Sequence, residues 1–215
     1  FDWIYCKLLS DNYRGWVQKK HLGNLQKTTH RVINNRSFIY KDKNEKSNII
    51  HYLPMGSQLA VEKLNSGWAE TRFQLDSKTY IGYVPINHIV ETSHREKNWV
   101  SKAEQLEGVP YKWGGRDTIG IDCSALLQLS YQTYGQNIPR NTSEQIKLDK
   151  LQVNKIEDLK RGCVIFWKGH VAIMIDRYNC IHANAYHMKT VTEPLVDILN
   201  RMDKEHQIVK MMNFN

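Results

Sequence analysis

Paired cysteines are missing from this chain. Its four cysteines (Cys6, Cys123, Cys163 and Cys180) form no Cys-x-x-Cys pair and show no metal-ligand spacing. If one is a catalytic thiol, the remaining three cannot all pair, which favours free thiols and a reducing compartment. Long apolar runs are also missing: none approaches the ~18 residues of a membrane span. No basic-then-apolar leader opens the sequence. The opening Phe1-Asp2-Trp3 lacks an initiating Met and starts mid-pattern, as a chain with its leader removed would.

Acid is in short supply, with 22 Asp+Glu against 30 Lys+Arg and a formal net charge of +8. That balance suits nucleic acid, yet the basic residues are scattered, and the densest groups (Lys19-Lys20, Lys41-Asp42-Lys43, Lys46) are short or interrupted. A solvated lysine-rich surface is the simpler reading, and no nucleic-acid partner is expected. Non-specific attraction to an anionic polymer stays open. The 41% apolar fraction is ordinary for a globular protein and allows a sizeable core.

Residues 1–91 read as strands. Short β-type runs at Ser37–Tyr40, Ile49–Leu53, Gln58–Leu64, Gly67–Phe73 and Tyr80–Pro85 are separated by polar or Gly-containing turns, as in a small β-barrel. Gly15-Trp16-Val17 and Gly82-Tyr83-Val84 end two blocks of an imperfect repeat whose first copy is cut off at its start. Trp16 and Trp68 are expected in the cores of these barrels. After Glu91 the pattern changes. A helix from about His94 to Leu106, capped by Ser93, and a second from Cys123 to Tyr134 precede β-type runs at Val164–Trp167, Val171–Ile175 and Cys180–Ala183. Two further strands, Met188–Thr192 and Ile208–Phe214, flank a helix near Leu195–Met202. Helices first and an antiparallel sheet afterwards make an α+β layout.

Chemistry concentrates in Tyr111-Lys112-Trp113-Gly114-Gly115-Arg116-Asp117-Thr118-Ile119-Gly120-Ile121-Asp122-Cys123-Ser124. A Gly-rich turn followed by Cys in the first turn of an apolar helix lets backbone N–H groups and the helix dipole stabilise a thiolate. The same N–H groups can serve an oxyanion. Cys123 could equally be a small buried apolar residue. A thiol nucleophile needs a base, usually His. His170 opens the strand Val171–Ile175 after a Lys168-Gly169 turn, and His182 lies in the next run, so adjacent antiparallel strands would bring the two together. Singly, each could be a core histidine; their spacing favours a base oriented by a partner. His187 reads as solvent-facing near the cleft, and His21, His30, His51, His88, His94 and His206 as surface or turn residues. Cys6, Cys163 and Cys180 read as buried thiols.

Tyr-x-Trp-Gly-Gly, Gly-x-Asp-Cys-Ser, Gly-His-Val-Ala-Ile and Ile-His-Ala, in that order, resemble the NlpC/P60 family of papain-like cysteine peptidases over residues 93–215. The earlier blocks resemble bacterial SH3-type (SH3b) domains. The implied fold is multidomain: a remnant of a first SH3-like domain at 1–25, an SH3-like barrel at 30–91 and an α+β catalytic domain at 93–215. By that resemblance Cys123 is the nucleophile, His170 the general base and His182 the group orienting it, while Tyr111, Asp122 and Ser124 bind substrate. Asp122 could also cap the helix. The implied reaction is hydrolysis of peptidoglycan stem peptides between D-γ-glutamate and a diamino acid (meso-diaminopimelate), preferring a free N-terminal L-alanine, in murein turnover or recycling.

The segment Pro139–Gln145 also resembles a family element; it reads as a loop entering a short helix, with Arg140 able to meet a substrate carboxylate. Gly162-Cys163 departs from the family's common Gly-Asp. No metal or cofactor is implied, and a monomer is expected. A papain-like amidase or acyltransferase on the same fold, or a non-catalytic cell-wall-binding protein, are the rival readings. Free thiols point to the cytoplasm; the basic charge would suit a periplasmic or wall-associated protein.

Overall fold

The computed structural model describes residues 2–75, 78–202 and 207–215, and Phe1 and His206 fall outside them. It divides into two compact units, residues 1–95 and 96–215.

In the first unit β1 (Trp3–Lys7) and β2 (Arg14–Gln18) form a two-stranded hairpin. The remaining strands are β3 (His30–Val32), β4 (Arg36–Tyr40), β5 (Ile49–Pro54), β6 (Gln58–Asn65), β7 (Trp68–Leu75), β8 (Lys78–Pro85) and β9 (Ile89–Glu91). They build one antiparallel sheet in the order β5-β4-β8-β7-β6-β3-β9. Alternation sets its buried face: Ile39, Ala69 and Val84 point inward and pack with Val32, Leu53, Leu59 and Ile89. Gly82 is required by the close approach of β8 to β4, because a Cβ there would run into the Ile39 side chain.

The tryptophans of this unit depart from the sequence expectation. Trp16 is 66% exposed, since a lone hairpin supplies no second layer to cover it. Trp68 sits half-buried on the outward face, edge-on to Tyr40, while Ala69 next to it turns inward. Cys6, expected to be buried, is partly exposed on the same hairpin.

The second unit begins with a helix much shorter than its apolar pattern suggests. α1 covers only Val100–Glu104. Trp99, Val100, Ala103 and Leu106 are all buried, as their spacing requires. Residues 94–98 carry no apolar face to bury, and their amides bond elsewhere: His94 N–H donates to the Glu91 carbonyl and Glu96 N–H to that of Thr133. Ser93 caps nothing; its hydroxyl donates to Glu91.

The next helix, α2 (Cys123–Thr133), is buried at every position except Gln132, which marks it as a central helix rather than a surface one. Gly135, at φ 90°, ends it in the left-handed conformation that favours glycine. α3 (Thr142–Gln145) follows. The six-stranded sheet runs β10-β15-β11-β12-β13-β14, built from β10 (Leu151–Gln152), β11 (Cys163–Trp167), β12 (His170–Met174), β13 (Asn179–Asn184), β14 (Lys189–Pro194) and β15 (Lys210–Asn213). α2 packs on β12 and β13. α4 (Leu195–Arg201) returns against β14 and buries Leu195 and Ile198 with Cys163, Trp167, Met174 and Cys180. This central sheet fixes the backbone from which the site's side chains project.

Candidate active site

Cys123 is the first residue of α2, and the preceding loop is tied down by backbone hydrogen bonds. Ile121 N–H donates to the Pro110 carbonyl, Lys112 N–H to that of Ile121, and Asp122 N–H to that of Gly115. Gly115 is demanded by the tight turn, since a Cβ there would meet the Gly120 carbonyl. Asp122 is the N-cap, and its carboxylate accepts from Ala125 N–H at 2.9 Å. It also accepts from Gly114 N–H at 2.9 Å and from the Ser124 hydroxyl at 3.2 Å. Arg140 closes the cluster, donating to both oxygens of Asp122 at 2.8 and 2.7 Å and to the Ser124 hydroxyl at 2.9 Å. Gln145 adds a bond to the Ser124 carbonyl at 2.9 Å. The start of α2 is therefore locked by a buried, charge-assisted network.

The histidines come from the sheet. The Lys168-Gly169 turn, with Gly169 at φ 78°, joins β11 to β12 and starts β12 on His170. Both neighbours of His170 reach Cys123: the Gly169 carbonyl lies 4.0 Å from the sulfur, and the Val171 backbone hydrogen-bonds to it. The Thr142 hydroxyl is a further hydrogen-bond partner of that sulfur. His170 Nε2 is 2.8 Å from His182 Nδ1, and His182 Nε2 is 2.7 Å from a Glu193 carboxylate oxygen. Arg201 then grips both Glu193 oxygens at 2.7 and 2.6 Å. A continuous hydrogen-bonded relay results, from an imidazole beside a thiol to an anchored carboxylate.

Electrostatics favour neutral partners at rest. Burial, and then the Asp122 charge, push the Cys123 thiol up, outweighing its hydrogen bonds to Val171, Thr142 and Ser124. This reverses the depression expected from the helix dipole alone: the sulfur is buried, and a carboxylate stands beside it. Burial, followed by the proximity of His182, lowers His170 to about 3, against a smaller upward pull from Glu193. His182 is also lowered, chiefly by burial. Burial would raise Glu193, but its bonds to Arg201, His182 and His187 prevail and hold it at about 2. Glu193 is thus ionised, and both histidines are neutral near pH 7. Such an arrangement can move a proton from sulfur to imidazole while sulfur attacks a carbonyl.

The NlpC/P60 family model matches residues 108–206. A probable endopeptidase of Haemophilus influenzae is 30% identical over 127 residues, 55% of this chain and 73% of that protein. The chain belongs to the NlpC/P60 family. It is a peptidase. Dipeptidyl-peptidase 6 of Lysinibacillus sphaericus is 26% identical over 205 residues, spanning 85% of this chain and 73% of that one. The gamma-D-glutamyl-L-lysine dipeptidyl-peptidase of Bacillus subtilis is 25% identical over 205 residues, and the chain spans 66% of its length. A solved NlpC/P60 protein from Bacillus cereus shares the fold, with a TM-score of 0.79 at 20% identity, covering 99% of this chain and 76% of that one.

Within this NlpC/P60 chain, Cys123, His170 and His182 come together as described. Tyr111 is half-buried on the loop ahead of α2, and its phenol is raised by burial, then by the charge that Cys123 carries as a thiolate and by that of Asp122. Asp122 and Ser124 are at the site but already bonded, above all to Arg140. Arg140 itself is buried, and its guanidinium is taken up by Asp122, the Ser124 hydroxyl and the Gly115 carbonyl, which turns it away from a substrate carboxylate. His187 is exposed, as expected, 3.4 Å from Glu193 and edge-on to Tyr186, at the outer end of the relay. Sequence reading missed Glu193, Arg201 and Thr142. The alternating run Lys189–Pro194, paired with the His182 strand, was the one available signal for Glu193. Among the described residues, no cluster of three His, Cys, Asp or Glu side chains is placed to hold a metal ion.

Proposed function

We propose that this peptidase is a cysteine endopeptidase acting on peptidoglycan stem peptides at the bond between D-γ-glutamate and a diamino acid. The observation that carries the reading is the Cys123–His170–His182 arrangement, in which a buried thiol is contacted from both sides of a histidine that is itself aligned by a second one. The name of the Bacillus subtilis relative, a gamma-D-glutamyl-L-lysine dipeptidyl-peptidase, supports the substrate class.

As the Cys123 sulfur attacks the γ-carbonyl carbon, its proton passes to His170 Nδ1, the ring nitrogen not engaged by His182. N–H groups of the first turn of α2 stabilise the oxyanion. Collapse of the tetrahedral adduct breaks the C–N bond, and His170 gives its proton to the departing amine. A water then attacks the thioester, passing a proton to His170, and the thiol is regenerated as the acid leaves.

The finer reading adds a preference for a free N-terminal L-alanine, held by Tyr111, Asp122 and Ser124. Arg140 sets the cost of this recognition, because an incoming ammonium must share the Asp122 carboxylate with a guanidinium already bound to both its oxygens. We further read residues 30–91 as an SH3-type domain and 1–25 as part of another. The setting we favour is murein recycling by a monomer in the cytoplasm.

Incubating the chain with L-Ala-γ-D-Glu-diaminopimelate tests the proposal. Release of the diamino acid should be abolished in Cys123→Ala; full release by that variant rules out the mechanism. An N-acetylated tripeptide cleaved as fast as the free one would remove the amine preference and leave the rest standing.

A further inference from the structure

The relay does not end at its second histidine. Glu193 projects from β14, where its Cα partner across the strand pair is Cys180 and His182 lies two residues further along β13. That diagonal places a carboxylate oxygen 2.7 Å from His182 Nε2. Arg201, the last residue of α4, clamps the same carboxylate through both its oxygens and lies over the Tyr186 ring at 4.4 Å. Arg201 is the more open partner, with 27% of its side chain exposed against 11% for Glu193.

We propose that Glu193 is a positioning residue that sets the tautomers of both histidines, with Arg201 holding it in place. This rests on the reading of Cys123 and His170 as nucleophile and base. An ionised carboxylate can only accept, so the proton in the 2.7 Å contact belongs to His182 Nε2. His182 is neutral, so its Nδ1 carries a lone pair. The 2.8 Å contact between the rings must then be filled by a proton on His170 Nε2. His170 is neutral too, and its Nδ1 is left unprotonated, which is the form able to take the thiol proton. One negative charge, two rings away from the sulfur, decides which nitrogen is the base.

One contact competes with this assignment. The Asn184 amide nitrogen lies 3.0 Å from the same His182 Nε2, and its oxygen accepts from His187 N–H at 2.8 Å. The amide nitrogen has only protons to offer, so it suits the opposite tautomer of His182. Glu193 prevails because it is shorter, charged and fixed by Arg201.

The test uses the whole chain labelled with 15N-histidine. Long-range 1H–15N correlations near pH 7.5 should show both His182 and His170 protonated on Nε2 and bare on Nδ1. In Glu193→Gln the neutral amide can donate as well as accept, so His182 should populate both tautomers. Its kcat on L-Ala-γ-D-Glu-diaminopimelate should fall roughly 10- to 100-fold, a part of what general base catalysis supplies, with KM within about twofold. Glu193→Asp, which keeps the charge, should recover part of the loss. The proposal is overturned if wild-type His182 carries its proton on Nδ1, a result that needs no variant. It is also overturned if Glu193→Gln keeps wild-type kcat, or loses it with both tautomers unchanged. A wild-type chain with the stated tautomers but no hydrolysis would sink the peptidoglycan reading and leave the relay supported.

Discussion

Two carboxylate–arginine pairs flank the site and do different work. Asp122–Arg140 sits beside Cys123, buried on both sides, and its carboxylate also collects Gly114 N–H, Ala125 N–H and the Ser124 hydroxyl. Glu193–Arg201 sits at the far end of the His170–His182 pair, with its arginine partly exposed, and its carboxylate serves two imidazoles. The first pair spends its hydrogen bonds on backbone and so holds a helix start in place. The second spends them on titratable rings and so controls protons. The same pair of residue types becomes scaffold or relay according to what lies within 3 Å of the carboxylate.

Breaking each pair separates these roles. Asp122→Ala should have the largest effect, removing the cap and stranding a buried guanidinium; a loss of about 3–5 kcal/mol is expected in denaturant unfolding. If stability holds within about 1 kcal/mol, Asp122 is not scaffold. Arg201→Gln should leave stability within about 1 kcal/mol, as for a partly exposed pair, while kcat falls several-fold because Glu193 loses its clamp. Comparable losses of stability in the two variants would erase the distinction.

A third test uses pH. His170 has its folded value depressed to about 3 from 6.5, so the unfolded chain binds the proton first as pH falls. Stability is at its full value above about 6.5 and declines as pH falls towards 3; His170→Gln should flatten that decline in unfolding curves. Glu193, lowered to about 2 from 4.5, adds a separate loss between about pH 4.5 and 2, which Glu193→Gln should remove. The smallest effect belongs far from either pair. Trp16→Ser on the exposed hairpin should change unfolding free energy by less than about 0.5 kcal/mol; a loss above 2 would show that this face is covered in solution.

Much of the second unit was legible because its signals are local. A Gly-rich turn, an aspartate and then an apolar run announce a capped helix, and each cue acts within four residues. The strand from Val164 and the one opening on His170 are joined by a two-residue turn, so their neighbourhood is a short-range fact as well. The length of α1 was not legible, because Trp99 to Leu106 show helical spacing whether or not the polar residues before them join the helix. Burial of Trp16 was misjudged for a related reason: an aromatic residue in a strand says what it could cover, not whether a second layer is there.

The sequence by itself determined where the thiol stands, that a turn aims His170 into the next strand, and that Asp122 begins the helix. These follow from turn geometry, capping and alternation. Only the tertiary structure decided the charges around them. Arg140 reaches Asp122 across 18 residues, and Glu193 meets His182 through the register of β13 and β14. Burial, which raises the thiol and lowers both imidazoles, also exists only once α2 is packed on the sheet. Protonation states therefore belong to the fold, because they depend on distances and desolvation that no local stretch of sequence contains.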